Sequence, residues 1–416
     1  MRLLAVTALG GLGAASLAIV AGAQSGPHAL VPAATKDYPG WLRGPLSGLV
    51  LHIDVRDLSW LLIAMFAFYV LALVCGSATP RLAVGAIVGL HVLFLLAPPL
   101  FSSDVIGYID AARLGTLHGI NPYSPGSTPL PPDMVHVYRR WATDLPSPYG
   151  PLFVLTSFAL VPLGISGGLW GFKVLTAAGS LLTVWLAGRC AALLGRDPLK
   201  AALFVGLNPL VLVFAVGGAH NDFFGLPLVA VAVYLTIRGR ERLSGAALVV
   251  AAAIKLPLGV PLLFAAARSR ARRRELLVGA AAATALVAVV SLAVFGSEAG
   301  GFVQSIREQQ HLVAIYSVPN QVGVALGLGG VTGGIRLVAA AALLSSLALA
   351  LRATWRGADW IAAAGWTTLA LLVFSAWLLP WYLTWLLPLA AIGGDRRLRI
   401  ASLALVAYVI VTRLTL

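Results

Sequence analysis

Residues 58–75 read LSWLLIAMFAFYVLALVC, an apolar run without a charged side chain. Comparable runs occupy residues 82–100, 277–295 and 360–379. Each supplies the roughly 17 to 25 apolar residues that a helix needs to cross the hydrocarbon core of a bilayer. None alternates between apolar and polar residues, as the strands of a transmembrane barrel do. The sequence therefore predicts an all-α polytopic membrane protein.

The composition of the whole chain agrees with lipid as its solvent. Hydrophobic residues make up 59% of the 416 residues and charged residues only 11%. The mean hydropathy is +0.92. These values exclude a water-soluble domain with a single core. From the apolar runs we expect roughly 10 to 13 transmembrane helices, with residues 149–187 forming either one span or a hairpin.

The net charge of +14 comes from basic clusters that fall in the short breaks between apolar runs. Such clusters mark cytoplasmic loops, so we expect a plasma-membrane protein and no nucleic-acid partner. The clusters are Arg189/Arg196/Lys200, Arg238/Arg240/Arg242, Arg268/Arg270/Arg272/Arg273/Arg274, Arg352/Arg356 and Arg396/Arg397/Arg399.

The first apolar run, residues 3–23, can be a retained span or a cleavable signal. Ala21-Gly22-Ala23 has the small-residue form of a cleavage site, but the length of the run favours a retained span. The two cysteines, Cys75 and Cys190, lie at the ends of apolar runs near basic breaks, so we expect no disulfide between them.

With the basic clusters inside, three longer segments lie outside: residues 24–57, 101–149 and 297–330. We treat residues 1–416 as a single domain. It would consist of N-terminal helices (1–100), a long outer loop that carries the candidate chemistry (101–150) and the remaining helical bundle (151–416).

Two apolar pieces, residues 243–254 and 256–267, are too short to cross a bilayer as straight helices. The second piece contains Pro257 and Pro261. Irregular backbone at membrane depth is tolerated only where protein buries it or water reaches it. These broken helices therefore predict an internal cavity and a ligand.

Asp104 stands where an apolar run emerges from the bilayer and is the first candidate for chemistry. If a helix begins at Val105, Tyr108 shares the face of Asp104, whereas Asp110 is turned away. A carboxylate here could remove a proton from an attacking hydroxyl as a general base. It could equally serve only as the cap of the helix.

Gly218-Ala219-His220-Asn221-Asp222 places three polar side chains between two apolar runs. Polar groups next to hydrocarbon are costly, which makes His220, Asn221 and Asp222 functional candidates. The alternative is an exposed turn in which Asn221 or Asp222 caps the next helix. A metal site is not expected, because no further His or Cys stands at ligand spacing.

Lys255 is a lone cation between the two short apolar pieces. The nearest basic clusters lie about 13 residues away on either side, so at roughly 1.5 Å per helical residue it is far from the cytoplasmic surface. We expect a phosphate partner. The alternative is a side chain that extends to a wet margin.

Other candidates lie in the third outer segment and around Pro380. Arg307 and His311 could line the same cavity or belong to a solvated loop. Trp381 and Tyr382 could be interfacial anchors or could stack on a sugar ring.

An ordered series of motifs resembles the actinobacterial polyprenol-phosphate-mannose-dependent mannosyltransferases of the C-type glycosyltransferase superfamily. The resemblance covers residues 101–389, most of the chain. The motifs are Ser103-Asp104-Val105 with Tyr108, Asn121-Pro122-Tyr123, Ser147-Pro148-Tyr149-Gly150-Pro151-Leu152, Asn208-Pro209-Leu210, Gly218-Ala219-His220-Asn221-Asp222, Lys255-Leu256-Pro257 and Pro380-Trp381-Tyr382.

This resemblance implies a helical membrane fold with an outward-facing cavity and a polyprenyl-phosphate sugar as donor. It implies transfer with inversion, with Asp104 as the base and Lys255 at the donor phosphate. Many relatives have two adjacent acidic residues at this point, whereas here Ser103 precedes Asp104. No nucleotide sugar is implied, and we expect no cofactor.

The sequence thus predicts transfer of a mannosyl or related hexosyl residue to a glycolipid or cell-envelope glycan acceptor, within membrane lipid. A polyprenyl-phosphate arabinosyl- or glucosyltransferase and a lipid-linked sugar flippase are the alternatives. The predicted catalytic residue is Asp104. The predicted substrate-binding residues are Tyr108, Tyr149, His220, Asn221, Asp222, Lys255, Arg307, Trp381 and Tyr382.

Overall fold

The computed structural model describes residues 2–25, 30–31, 39–76, 79–124, 133–138, 147–268, 270–309 and 311–412. Within these ranges the regular structure is helical and no β-strand is present. The expected all-α architecture is therefore confirmed. Parts of the predicted outer segments, residues 26–29, 32–38, 125–132 and 139–146, lie outside the described residues.

The α-helices are numbered in chain order. They are α1 (Arg2–Ala23), α2 (Gly40–Arg43), α3 (Val55–Cys75), α4 (Pro80–Leu96), α5 (Asp104–Leu117), α6 (Pro151–Phe158), α7 (Gly164–Leu193), α8 (Pro198–Gly206), α9 (Asp222–Ile237), α10 (Glu241–Ile254), α11 (Val260–Arg268), α12 (Arg273–Phe295), α13 (Gly301–Gln309), α14 (Val318–Ala325), α15 (Gly333–Trp355), α16 (Trp360–Phe374), α17 (Leu387–Ile392) and α18 (Arg396–Thr412). A π-helix spans Leu210–Val216, and 3₁₀ segments span Met134–Tyr138, Val161–Leu163, Leu256–Gly259, Gly296–Gly300 and Pro380–Trp385.

The four predicted apolar runs all form helices. The helices α3 and α12 cover their runs completely, whereas α4 and α16 end at Leu96 and Phe374, short of the predicted ends. Pro98 and Pro99 follow α4. Proline lacks a backbone N–H and disfavours helical backbone in the residue before it, so α4 stops at this point.

Several helices can cross a membrane by length and composition. In the described part of the chain these are Arg2–Ala23, Val55–Cys75, Pro151–Leu193, Arg273–Gln309 and Gly333–Trp355, with α8 and the π-helix as a sixth span bent by 50°. Further apolar helices, among them α4, α9 and α16, are shorter. The chain is therefore a multi-pass membrane protein, and the count of 10 to 13 crossings stays a prediction.

The outer surface of the bundle is apolar. In the 23 residues of α15 only Ala339 and Thr354 are buried, and the side chains of Leu337 and Val338 are 72% and 70% exposed. In water such a surface would drive aggregation, but it suits contact with lipid tails. The face of α15 that the bundle leaves uncovered is consequently a lipid-facing one.

The π-helix lies at the centre of the bundle, and all seven of its residues are buried. The polar side chain of Asn208 supports this break in the helix. Its Oδ1 accepts a hydrogen bond from the Leu210 N–H at 3.0 Å, and its Nδ2 donates to the Tyr69 hydroxyl at 3.3 Å. Backbone and side-chain polar groups that lipid could not satisfy thus find partners inside the protein.

The basic clusters are joined to one another at one end of the bundle. The contacts are Arg196 with Asp359 at 2.8 Å, the Gly394 N–H with Asp359 at 3.1 Å, Arg272 with the Gly239 carbonyl at 3.1 Å, Arg268 with Glu241, and Arg270 over the Trp355 ring at 4.3 Å. The contacts of Asp359 link the turns α7–α8, α15–α16 and α17–α18. The other contacts link the turn α9–α10 to the turn α11–α12, and that turn to the end of α15. The clusters share one side, as the positive-inside rule requires. That this side is cytoplasmic stays a prediction.

Cys75 at the end of α3 and Cys190 in α7 are both free, which confirms that they form no disulfide. The Sγ of Cys190 is buried and lies 3.9 Å from the Ala230 carbonyl oxygen. It fills a small gap between α7 and α9.

Two glycines allow α10 and α12 to pack closely. A Cβ on Gly279 would overlap the carbonyl oxygen of Arg242, and a Cβ on Gly245 would overlap that of Leu276. Small residues of this kind let membrane helices approach backbone to backbone. Because α10 carries Lys255 at its end, this contact also sets the position of the lysine.

We expect Gly279→Ala to lower the free energy of unfolding by about 1–3 kcal/mol, since the helices must separate to admit the methyl group. Gly89→Ala in α4 is the matched control, because a Cβ at Gly89 meets nothing within 4 Å. The control should be neutral or stabilising by about 0.5–1 kcal/mol. Denaturant titration in detergent micelles measures both, and equal effects of the two substitutions would refute the close packing.

Candidate active site

A cavity of about 1560 Å³ opens at the end of α10 that lies away from the basic clusters. The 14 residues of α10 separate it from Glu241, a distance of about 20 Å along the helix. Its wall includes one face of α5, the break after α10 and the Pro380–Trp385 segment. Asp104, Tyr149, Lys255, Trp381 and Tyr382 line it, so these predicted residues share one cavity.

Asp104 is the first residue of α5, and its side chain is 26% exposed in the cavity. The expectation that it caps a helix beginning at Val105 is wrong. Ser103 occupies the capping position without a side-chain cap bond, and the Asp104 N–H donates to Ser102 Oγ at 3.1 Å. The carboxylate therefore keeps its oxygens for other partners, and the positive end of the helix dipole favours its charge.

The side chain of His220 contacts the carboxylate of Asp104. Its Nδ1 lies 3.5 Å from Asp104 Oδ2, and its ring stacks on Trp381 with ring centres 3.7 Å apart. The expectation of an exposed turn at residues 217–222 is wrong, because His220, Asn221 and Asp222 are all fully buried. Neither Asn221 nor Asp222 makes a side-chain cap bond to α9.

The backbone breaks at Lys255 because Pro257 cannot continue α10. Lys255 is extended, with φ −151° and ψ 113°, and a 3₁₀ segment follows it. The Ile254 carbonyl, freed at the helix end, accepts a hydrogen bond from the Gly150 N–H at 3.2 Å. The predicted pair of broken helices at a cavity is confirmed.

Lys255 has its anion within the protein. Its Nζ lies 2.8 Å from Asp222 Oδ1 and donates to Asn221 Oδ1 at 3.1 Å. The ring centres of Tyr382 and Trp385 are 5.0 and 5.5 Å from the ammonium. The phosphate partner expected from the sequence stays a prediction, whereas the alternative of a side chain that extends to a wet margin is wrong, since only 15% of the side chain is exposed.

Two acid–base pairs therefore meet through the three consecutive residues 220–222. Asp104, at the start of α5 and outside the spanning helices, has a pKa below its ordinary value. Burial raises this pKa, but the hydrogen bond and charge of His220 and the charge of Lys255 lower it by more. At neutral pH the site therefore presents an ionised Asp104 in the cavity that Lys255 also lines.

The predicted tyrosines divide between the cavity and the core. Tyr149 lines the cavity and packs edge-on against Tyr108, with ring centres 4.9 Å apart. Tyr108 is buried behind it, and its hydroxyl accepts a hydrogen bond from the Asn221 N–H at 3.3 Å. In this structure Tyr108 positions the turn at residues 217–222 and does not itself face the cavity.

Arg307 and Asp110 differ from their predicted places, and Arg336 is a cavity residue that the sequence reasoning missed. Arg307 is exposed on α13 and is absent from the cavity wall, whereas Arg336 lines it. Asp110, expected to turn away, also lines the cavity, with an oxygen 3.1 Å from His136 Nε2. Arg336 stands alone at the start of an apolar run, far from the basic cluster at its other end. This isolated position in the sequence is the signal that could have identified Arg336 as a cavity residue.

Several buried polar atoms of the site have no hydrogen-bond partner among the described residues: Ser103 Oγ, His220 Nε2, Asn221 Nδ2 and Asp222 Oδ2. Buried polar groups are normally satisfied, so each such atom needs an explanation. Ser103 lines the cavity, so a ligand there can reach its hydroxyl, whereas the atoms of residues 220–222 lie behind the cavity wall. Across the described chain no three His, Cys, Asp or Glu side chains are grouped to hold a metal ion.

Fold and site together define a polytopic membrane protein with a cavity at one end of its helical bundle that is lined by an acid and a lysine. The chain belongs to the alpha-(1->6)-mannopyranosyltransferase family, whose N-terminal domain model matches residues 7–271. The MptB C-terminal domain model matches residues 313–415. The resemblance to actinobacterial mannosyltransferases is thereby confirmed.

Individual relatives agree with this membership. The chain is 29% identical over 336 residues to alpha-(1->6)-mannopyranosyltransferase A of Mycobacterium tuberculosis, covering 74% of this chain and 65% of the relative. It is 26% identical over 346 residues to alpha-(1->6)-mannopyranosyltransferase B of Corynebacterium glutamicum, covering 71% and 56%. The chain thus spans less than two thirds of the length of each. No solved structure matches it.

We expect Lys255→Met to lower the free energy of unfolding by about 3–5 kcal/mol, because it leaves the Asp222 carboxylate buried without a counter-ion. The double variant Lys255→Met/Asp222→Asn should recover most of this loss. Lys200→Met is the control, since Lys200 forms only an exposed pair with Asp197 at 3.9 Å. Denaturant unfolding in micelles measures all three, and a double variant no more stable than Lys255→Met would argue against the pair.

Proposed function

We propose that the protein transfers a mannosyl or related hexosyl residue from a polyprenyl-phosphate sugar to a glycolipid or cell-envelope glycan acceptor. Transfer proceeds with inversion at the outer face of the plasma membrane. The observation that carries this proposal is that Asp104 and Lys255 open onto one cavity and are joined through residues 220–222. Family membership supports mannose as the sugar.

In the proposed reaction the acceptor hydroxyl oxygen attacks the anomeric carbon of the donor. The bond from this carbon to the phosphate oxygen breaks, and polyprenyl phosphate leaves with the electron pair. Asp104 takes the hydroxyl proton. His220 holds the carboxylate in place, and the lowered pKa of Asp104 keeps it ionised before the attack.

Lys255 would stabilise the negative charge on the leaving phosphate. Two of its three N–H groups meet Asp222 and Asn221, which leaves one for the phosphate. The ion pair with Asp222 fixes the position of the ammonium and offsets part of its charge. The donor phosphate is therefore bound, but not so tightly that it cannot leave. Asn221 and Asp222 are thus proposed to act through Lys255.

The α15 wall of the cavity suits the lipid part of the donor. Arg336, Ala339, Ala340 and Leu343 line the cavity from one face of this helix. A planar guanidinium binds phosphate well, and the apolar residues that follow suit a polyprenyl chain. Arg336 therefore takes the role that the sequence suggested for Arg307, and the tail reaches lipid along α15.

The acceptor sugar is proposed to lie against α5 beside Asp104. Gly107, Asp110 and Ala111 line the cavity from the same helix. A Cβ on Gly107 would meet nothing within 4 Å, so the missing side chain leaves space next to the base. Trp381 and Tyr382 offer aromatic faces for sugar rings.

A lipid-linked sugar flippase is the alternative from another class. It would use the same cavity to move the donor across the membrane without forming a product. The contact between Asp104 and His220 favours the transferase, because it provides a positioned general base and translocation needs none.

We expect Asp104→Asn to reduce transfer roughly 10²- to 10⁴-fold, since the amide cannot accept the proton. Purified protein in liposomes is given radiolabelled polyprenyl-phosphate mannose and glycolipid acceptors, and product and donor binding are both measured. Binding should persist. Asp110→Asn is the control on the same helix and should lose far less activity. Donor translocation without product would favour the flippase, and equal product from both variants would remove Asp104 from the mechanism.

Gly107→Leu should block transfer to glycan acceptors while donor binding stays intact, because leucine fills the space beside Asp104. Gly89→Leu places the same side chain on an equally open helix glycine away from the cavity. Initial rates against acceptor concentration separate the two variants. An unchanged acceptor KM and kcat in Gly107→Leu would place the acceptor elsewhere.

A further inference from the structure

Lys173 is a buried lysine that the proposed chemistry does not use. It lies in α7 and is fully buried. Its Nζ donates to the carbonyl oxygen of Gly217 at 2.9 Å and lies 5.9 Å from the centre of the Trp170 ring. It makes no ion pair with any described residue. A lysine within a membrane protein is expensive to bury, so its presence asks for a role.

The Gly217 oxygen joins three parts of the chain. Besides Lys173 it accepts a hydrogen bond from the Leu100 N–H at 3.1 Å. Leu100 opens the segment that runs into Asp104, and Gly217 opens the turn that carries His220. The two segments that deliver the base and its partner thus meet at one oxygen atom, and Lys173 holds that atom from α7.

Both segments contain strained backbone. Phe101 and Ala219, with φ of 59° and 56°, are the non-glycine residues in the described ranges that adopt left-handed backbone. Such conformations persist only where the surroundings enforce them. Phe101 is anchored by stacking on Phe214 at 4.7 Å, and Ala219 directly precedes His220. The Gly217 oxygen bonds to the residue before Phe101, and Gly217 itself stands two residues before Ala219.

We propose that Lys173 is a positioning residue for the active site, an inference that rests on the proposed transferase function. Its bond to the Gly217 oxygen holds residues 100–104 and 217–220 together, and so keeps His220 next to Asp104. The lysine amine suits this task, because it donates a hydrogen bond from the end of a long stem that reaches Gly217 from α7.

Lys173→Met tests the proposal, because methionine keeps the apolar stem and removes the donor. Ser180→Ala is the matched control. Ser180 is buried on the same helix and bonds His91 Nε2 at 2.8 Å, away from Gly217. Amide hydrogen exchange in peptides covering 98–104 and 217–222 should become faster in Lys173→Met and stay unchanged in Ser180→Ala.

The kinetic readouts separate positioning from general loss of structure. At equal folded fraction, Lys173→Met should lower kcat roughly 10- to 100-fold with little change in donor KM, since a small displacement of the base misaligns the attack. With His220 loosened, the pKa of Asp104 rises and the acid limb of the kcat profile moves to higher pH. The titratable groups that act on or are affected by Asp104 are His220, Lys255, Tyr108, Tyr149 and Tyr382.

Ala219→Gly provides a second variant that should fold readily, because glycine adopts φ near 56° without strain. It frees the turn before His220 and should shift the acid limb in the same direction. If the wild-type protein transfers no sugar to the acceptors, the proposed function itself is refuted. Active wild type with Lys173→Met or Ala219→Gly matching it in kcat and pH profile would overturn only the positioning role.

Discussion

The ion pair between Lys255 and Asp222 is the interaction on which the cavity depends. It joins the end of α10 to the start of α9, two places where the chain leaves helical geometry inside a membrane protein. A buried pair repays its desolvation only if the remaining polar capacity is used. Asn221 supplies an acceptor to the ammonium and the Trp385 indole N–H donates to Asp222 Oδ1, whereas Asp222 Oδ2 has no hydrogen-bond partner among the described residues. The pair therefore also anchors the aromatic segment Pro380–Trp385.

The molecule is polarised along the axis of its helices. Arginine-rich turns contact one another at one end, where Arg196 and Arg268 find carboxylates in neighbouring turns. The other end holds acids, Lys255 and a set of aromatic rings around a cavity. Charge that would be costly in lipid is thus confined to the two margins and to one lined cavity, and the lipid-facing surface of α15 stays apolar. In the proposed function, this division gives the amphiphilic donor a place for both its charged and its apolar part.

Buried hydrogen bonds and tight packing together fix the position of the candidate base. Asp104 begins a helix whose preceding segment is bound to the Gly217 oxygen, and His220 follows a turn bound at the same oxygen. Phe101 and Ala219 keep backbone conformations that a looser surrounding would release. Rigid placement of this kind is what acid–base chemistry needs, because a base is effective only within hydrogen-bond reach of its proton.

The sequence alone determined the membrane class, the broken helices at Pro257 and the family, because apolar length, proline and ordered motifs are local properties of the chain. It also singled out Asp104 and Lys255. Only the tertiary structure decided that Asp222 is the anion of Lys255, that Arg336 and not Arg307 reaches the cavity, and that Asp110 faces it. It alone placed Lys173 at the Gly217 oxygen. These are contacts between residues far apart in the chain, and they depend on how the helices pack and rotate against one another, which no local pattern records.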